Sequence, residues 1–193
     1  MILISFVRKY IAPFIIAITC EHTFASTIHE ITNFQNSDAQ IETTCPDEDS
    51  PSKGCSVVLV KNKSRKKLLH NTFAPAYIGI TDGVFTIKFP CGTECSATYF
   101  FSEKYGLSGP YPLVIAKNLK SNLVLFILNN SLYTEQIFRK KLGKTMKFKR
   151  IHLPIKTKID IMQSVIGAKP HEDGFIIHYT DENGNEKFFT WKK

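Results

Sequence analysis

The stretch FIIHYTDENGNEKFFTW, residues 175–191, decides the fold. Two short runs rich in Phe, Ile and Tyr flank Asp181-Glu182-Asn183-Gly184-Asn185. Asn and Gly both tolerate positive φ, so Asn-Gly between apolar runs is a strong hairpin signal. Aromatic and β-branched side chains suit a pleated, half-buried surface. Trp191 ends the second strand, where it serves as core or edge packing.

Working outward from this hairpin, the same pattern recurs toward the N-terminus. MKFKRIHL (146–153) alternates Lys and Arg with Phe148 and Ile151. SLYTEQIF (131–138) and NLVLFIL (122–128) meet at Asn129-Asn130, a second hairpin turn. PLVIAK (112–117) and SATYFF (96–101) precede them. VFTIKF (84–89) and AYIGI (76–80) flank Thr81-Asp82-Gly83, and SVVLVK (56–61) comes first. Helical periodicity is nearly absent, and IDIMQSV (159–165) reads either as one helical turn or as a strand. The pattern predicts an all-β fold, an antiparallel meander of roughly eight to ten strands forming a sandwich or barrel. Three hairpin-like units, 76–101, 112–138 and 147–191, leave an incomplete β-propeller as the alternative. Their spacing is loose, and three blades are few for a closed ring.

Ahead of the strands the chain changes character. Arg8 and Lys9 precede an apolar run, YIAPFIIAI (10–18), and Thr23-Phe24-Ala25 follows it. A charged start, a short apolar core and a small-residue exit form the secretory pattern, so residues 1–25 are expected to be a cleavable signal peptide. Cys20 offers a lipidation alternative, with Thr19 where a smaller residue is usual. No later segment is apolar for the roughly 18 residues a transmembrane helix needs. Cleavage after Ala25 leaves about 168 residues, enough for one domain with a real core. Within them, 26–55 reads as a polar, loop-like segment and 56–193 as a single β domain. The expected compartment is periplasmic or extracellular.

Export changes the meaning of the cysteines. Cys45, Cys55, Cys91 and Cys95 remain after cleavage, an even number that reads as a disulfide framework. Three connectivities are open. Cys45–Cys55 and Cys91–Cys95 are preferred because each pair is close in sequence. The C-x3-C spacing of Cys91 and Cys95 is not a zinc knuckle, and the histidines are scattered, so no metal is expected.

The chain's formal charge of +8, less the +1 of Arg8, Lys9 and Glu21 in the leader, leaves +7. Basic residues cluster at KNKSRKK (61–67) and RKKLGKTMKFKR (139–150), and acidic ones between Asp38 and Asp49. Such clusters favour acidic partners or simply a solvated surface. Nucleic acid is not expected outside the cytoplasm, and no module that reads it is present. There is no Gly-x-Ser-x-Gly elbow; GLSGP (106–110) reads as a turn. DENGNE (181–186) lacks the length and closing Glu of a calcium loop. An aromatic concentration, Phe85, Phe89, Tyr99, Phe100, Phe101, Tyr105 and Tyr111, is the one candidate interaction site. Strand alternation sends some of these side chains inward and others outward as binding anchors.

KFPCGTECSATYFFSEKYGLSGPYPLVIAKNLKSNLVLFI (88–127) resembles a group of small exported proteins of Gram-negative bacteria. They share a Phe-Pro-Cys-Gly-x-x-Cys core, then aromatic residues, a turn and a strand pair. Here the core is Phe89 to Cys95, and the aromatic run is Tyr99-Phe100-Phe101. The hairpin at 173–188 fits as well, and the resemblance covers about half of the mature chain. It implies no enzyme activity, and proteins of this kind include immunity proteins that neutralise toxins in the periplasm.

These readings together predict a periplasmic binding or inhibitor protein, an immunity protein blocking an envelope-directed toxin by occlusion. The expected contacts are Tyr99, Phe101 and Tyr105, with Arg139, Lys140 and Lys141 steering the encounter with a protein partner. No enzyme activity and no cofactor are expected. One alternative is a secreted enzyme acting on envelope polymer. The other is an envelope protein binding anionic lipid or glycan.

Overall fold

The computed structural model describes residues 27–35, 37–46, 54–91, 95–138, 148–155 and 160–193. The leader expected at 1–25, with Cys20, lies outside the described residues, as do Arg139, Lys140 and Lys141.

The chain forms four antiparallel sheets, each a meander of consecutive strands. The first holds β1 (Ile28–Asn33), β2 (Ala39–Cys45), β3 (Cys55–Lys61) and β4 (Ser64–Thr72). The second holds β5 (Tyr77–Thr81), β6 (Val84–Pro90), β7 (Ser96–Ser102) and β8 (Gly106–Pro112). The third holds β9 (Val114–Asn118), β10 (Leu123–Leu128), β11 (Ser131–Gln136) and β12 (Lys149–Ile151). The fourth holds β13 (Val165–His171), β14 (Gly174–Thr180) and β15 (Glu186–Trp191). One helical turn, α1 (Ile161–Ser164), leads into β13, and the Asp160 side chain caps it by accepting from the Met162 N–H at 2.9 Å. The fold is all-β, as the alternating runs predict. No sheet closes into a barrel, and the architecture is a layered sandwich.

Three apolar cores alternate with the four layers. Ile41, Val57 and Leu59 of the first sheet meet Phe85, Ile87, Phe89 and Phe101 of the second. Val84, Phe100 and Tyr111 on the second sheet's other face meet Val124, Phe126 and Ile137 of the third. Leu123, Leu125 and Ile127 then meet Phe175, Ile177 and Trp191 of the fourth. No core joins the first sheet to the fourth among the described residues, as the ring of a propeller requires.

This layering explains two kinds of strand sequence. The outer sheets bury one face, so β3 and β14 alternate buried and partly exposed positions. The middle sheets bury both faces, so β10, LVLFIL, is apolar at every position. Tyr99-Phe100-Phe101 obeys the same rule: Phe100 points into one core and Phe101 into the other.

Several segments depart from the expected loops. The polar stretch 26–55 contains β1 and β2, which pair with β3 into the first sheet. KNKSRKK is a hairpin: Asn62 and Lys63 both take positive φ, and β4 continues from Ser64. GLSGP, read as a turn, lies in β8, and Pro110 sits there because β8 is an edge strand with no ladder bond to lose on its outer side. Between β8 and β9 only Leu113 intervenes. Its N–H donates to the Ser96 carbonyl at 3.2 Å, and its own carbonyl accepts from Ile127 at 3.1 Å, so this corner ties the second sheet to the third.

Candidate functional site

Because every sheet is a meander, alternate turns fall at one end of the stack. The β3–β4, β5–β6, β7–β8, β9–β10 and β13–β14 turns share that end. Contacts between sheets fix it as one surface. Lys61 bonds Glu103 at 2.9 Å across the first two sheets, and Lys117 donates to Thr86 Oγ1 at 2.8 Å across the next two. Asn118 Nδ2 donates to the Glu172 carbonyl at 3.0 Å and the Gly174 carbonyl at 2.9 Å across the last two. The opposite end carries both disulfides, Cys45–Cys55 and Cys91–Cys95. These are the two pairs preferred from sequence spacing.

Among the described residues a cleft opens at the turn end between each pair of neighbouring sheets. The one between the second and third sheets has a volume of about 810 Å³. Val84, Leu119 and Phe138 form its apolar floor, and Asp82, Lys104, Tyr105, Lys120 and Gln136 stand around it. Tyr105 stacks on Phe138 with centroids 5.3 Å apart and an interplanar angle of 22°. The Lys104 ammonium lies 5.0 Å from the Tyr105 ring centroid, within cation–π range.

The floor is held from beneath. Asn122, at positive φ, uses its side chain as a strand would: Oδ1 accepts from the Phe138 N–H at 3.1 Å, and Nδ2 donates to the Phe138 carbonyl at 3.0 Å. One residue earlier, the Ile137 carbonyl accepts from the Tyr111 hydroxyl at 3.0 Å and from Ser108 Oγ. The Phe138 backbone is therefore hydrogen-bonded on both sides although β11 has already ended.

Charge around this cleft is uneven. Burial between the two sheets pushes the Lys117 ammonium below the usual lysine range, and the nearby Asp82 carboxylate partly restores it. Lys120 acts on Glu172, but that carboxylate is bonded to Lys192 at 2.5 Å, and Lys192 draws it below the usual glutamate range.

The aromatic residues expected as contacts separate. Tyr105 is 52% exposed and stands at the cleft. Tyr99 is half-buried, packs edge-on against Phe89 at 5.8 Å, and has its hydroxyl pKa raised by burial. Phe101 is a correction. At 1% exposure it is a core residue, packed near Phe85 and covered by the Lys66 ammonium 4.8 Å away. Alternation fails as a guide there because the second sheet has a core on both faces. Lys104, Lys120 and Phe138 were missed. Counting turn parity along the meander finds the two lysines, since both sit in turns at the same end.

Elsewhere, Glu42 on β2 accepts both Arg65 guanidinium nitrogens at 3.0 and 2.5 Å, and His29 lies 3.6 Å away. The Arg65 hydrogen bonds hold the Glu42 carboxyl below the usual range. On the outer face of the fourth sheet, His178 stacks on Phe188 at 4.5 Å and pairs with Glu186 at 2.9 Å. Among the described residues, no three His, Cys, Asp or Glu side chains converge as metal ligands would, and no helix is long and apolar enough to cross a membrane. Comparison with protein-family models, with curated proteins and with solved structures finds no match to this chain.

Proposed function

We propose that this chain is an exported binding protein that inhibits a protein partner by occlusion at its turn end, in the manner of an immunity protein against an envelope-directed toxin. One observation carries the reading: a preformed cleft with Tyr105 on a clamped Phe138, lined also by Lys104 and Lys120, at the end away from both disulfides. An exposed aromatic side chain on a fixed support anchors an interface at little entropic cost. Lysines around it steer encounter with an acidic surface. The two disulfides suit an oxidising compartment, which fits the leader pattern at 1–25.

Co-expression tests this. Cells carrying the full chain are challenged with a panel of toxins exported to the periplasm and directed at the cell wall or the membrane. Protection from one of them that disappears when residues 1–25 are deleted supports the proposal. Failure to protect from any, or protection that persists without the leader, contradicts it.

A further inference from the structure

We infer that the cleft between the second and third sheets takes a peptide segment whose apolar side chain is flanked by carboxylates. The inference rests on the protein-partner reading and gives that partner's chemistry.

The floor is apolar: Val84 comes from the second sheet, Leu119 and Phe138 from the third. The cations come from both walls. Lys104 stands on the β7–β8 turn and Lys120 on the β9–β10 turn, and both are exposed. Among the described residues neither has an ion-pair partner within 4.0 Å, whereas Lys61 and Lys192 nearby are both paired. Asp82 is the one carboxylate among the residues lining the cleft, against these two lysines. The cleft therefore presents two lysines without a direct ion-pair partner around an apolar seat, and the complementary ligand is apolar with negative charge on either side.

A sugar ring fits less well. Stacking a pyranose needs an open aromatic face, and the Tyr105 ring is already engaged by Phe138 and Lys104. A flat anionic membrane fits less well too, because the apolar seat is recessed between two sheets. Asn122 holds the Phe138 backbone at both its N–H and its carbonyl, so the Tyr105–Phe138 stack beside the seat is in place before any ligand arrives and binding orders little of the protein.

The test uses phage-displayed random peptides selected on the mature chain, with the double variant Lys104→Glu/Lys120→Glu as counter-target. Both lysines are exposed, and an unchanged thermal transition confirms that the variant folds. The expected motif is Phe, Leu, Ile or Trp flanked by Asp or Glu. A synthetic winning peptide should lose about tenfold or more in affinity on the double variant, weaken as salt rises, and bind a Lys187→Glu variant, altered near the opposite end, as it binds the parent chain. Winning peptides that lack acidic residues, or that bind the double variant equally well, overturn the inference and leave the protein-partner reading standing. A selection that yields no motif also overturns it. The partner reading itself falls only with the co-expression experiment.

Discussion

Replacing Cys45 and Cys55 together with alanine should cost more stability than replacing Cys91 and Cys95. The two bridges close loops of different length, with sequence separations of 10 and 4. On the chain-entropy model, the longer loop is worth about 2.7 kcal/mol and the shorter about 1.9 kcal/mol at room temperature. Packing widens the gap. Cys45 and Cys55 are 1% and 0% exposed, so alanine also leaves unfilled space, whereas Cys91 and Cys95 are exposed. The first pair should therefore cost about 3 kcal/mol or more and the second about 2 kcal/mol. Trp191 is the single tryptophan and lies in the core between the third and fourth sheets, so its fluorescence reports global unfolding in urea. Both bridges sit at the end away from the cleft, so binding of an acidic–apolar peptide should be unchanged in either variant. A larger loss for the Cys91–Cys95 variant, or a loss below about 1 kcal/mol for Cys45–Cys55, would refute the reasoning.

Other outcomes follow from the layering and the charge pairs. Phe126→Ala should cost about 3–5 kcal/mol, because Phe126 is fully buried against Tyr111, Tyr133 and Phe148. Phe188→Ala, at 69% exposure on the outer face, should stay within about 0.5 kcal/mol; equal losses in urea titration would contradict the layer assignment. Gly174→Ala should destabilise by about 1–3 kcal/mol, because a Cβ there would strike the Trp191 backbone carbonyl, which cannot swing aside. Glu42 has a lowered folded pKa, so its pairing with Arg65 stabilises fully above the ordinary glutamate value of 4.5 and is lost as pH falls through the lower folded value. Arg65→Met should remove that acid-side dependence, and a parallel decline in both proteins would count against the pair. Lys117 has the same sense in a more alkaline window and for a different reason. Its folded pKa is depressed by burial, so stability rises with pH between that value and the ordinary 10.5, and Lys117→Met should flatten the rise.

Strand identity was legible where side chains alternate or run apolar, as in β3, β6, β10, β14 and β15. It was hidden where a strand's polar face dominates its composition. β2 reads as polar because of Gln40, Glu42 and the threonines. Ile41 and Cys45 nevertheless point into the core, and Glu42 is shielded by Arg65 and His29. β4 carries the exposed residues Arg65, Lys66 and Lys67 in succession along an edge, which masks its pairing with β3. β8 and β13 each contain a proline that argues against a central strand, and both are edge strands. The cleft was only partly legible. Tyr105 stood out within the aromatic concentration, but Phe138 looked like ordinary strand sequence. Only the pairing of Asn122 with its backbone turns it into a fixed platform. Whether an aromatic residue in a strand faces solvent depends on how many sheets cover it, which no local pattern records.

The most direct test of docking at the turn end is photo-crosslinking in cells that express the full chain, residues 1–193. A photoreactive amino acid replaces Tyr105 in one strain and Asn183, in the β14–β15 turn at the opposite end, in another. The expected result is a covalent adduct with one envelope protein from position 105 and none from position 183. The crosslinked segment should carry an apolar residue between carboxylates. An adduct from position 183 but not from 105, or equal adducts from both, would contradict docking at the cleft.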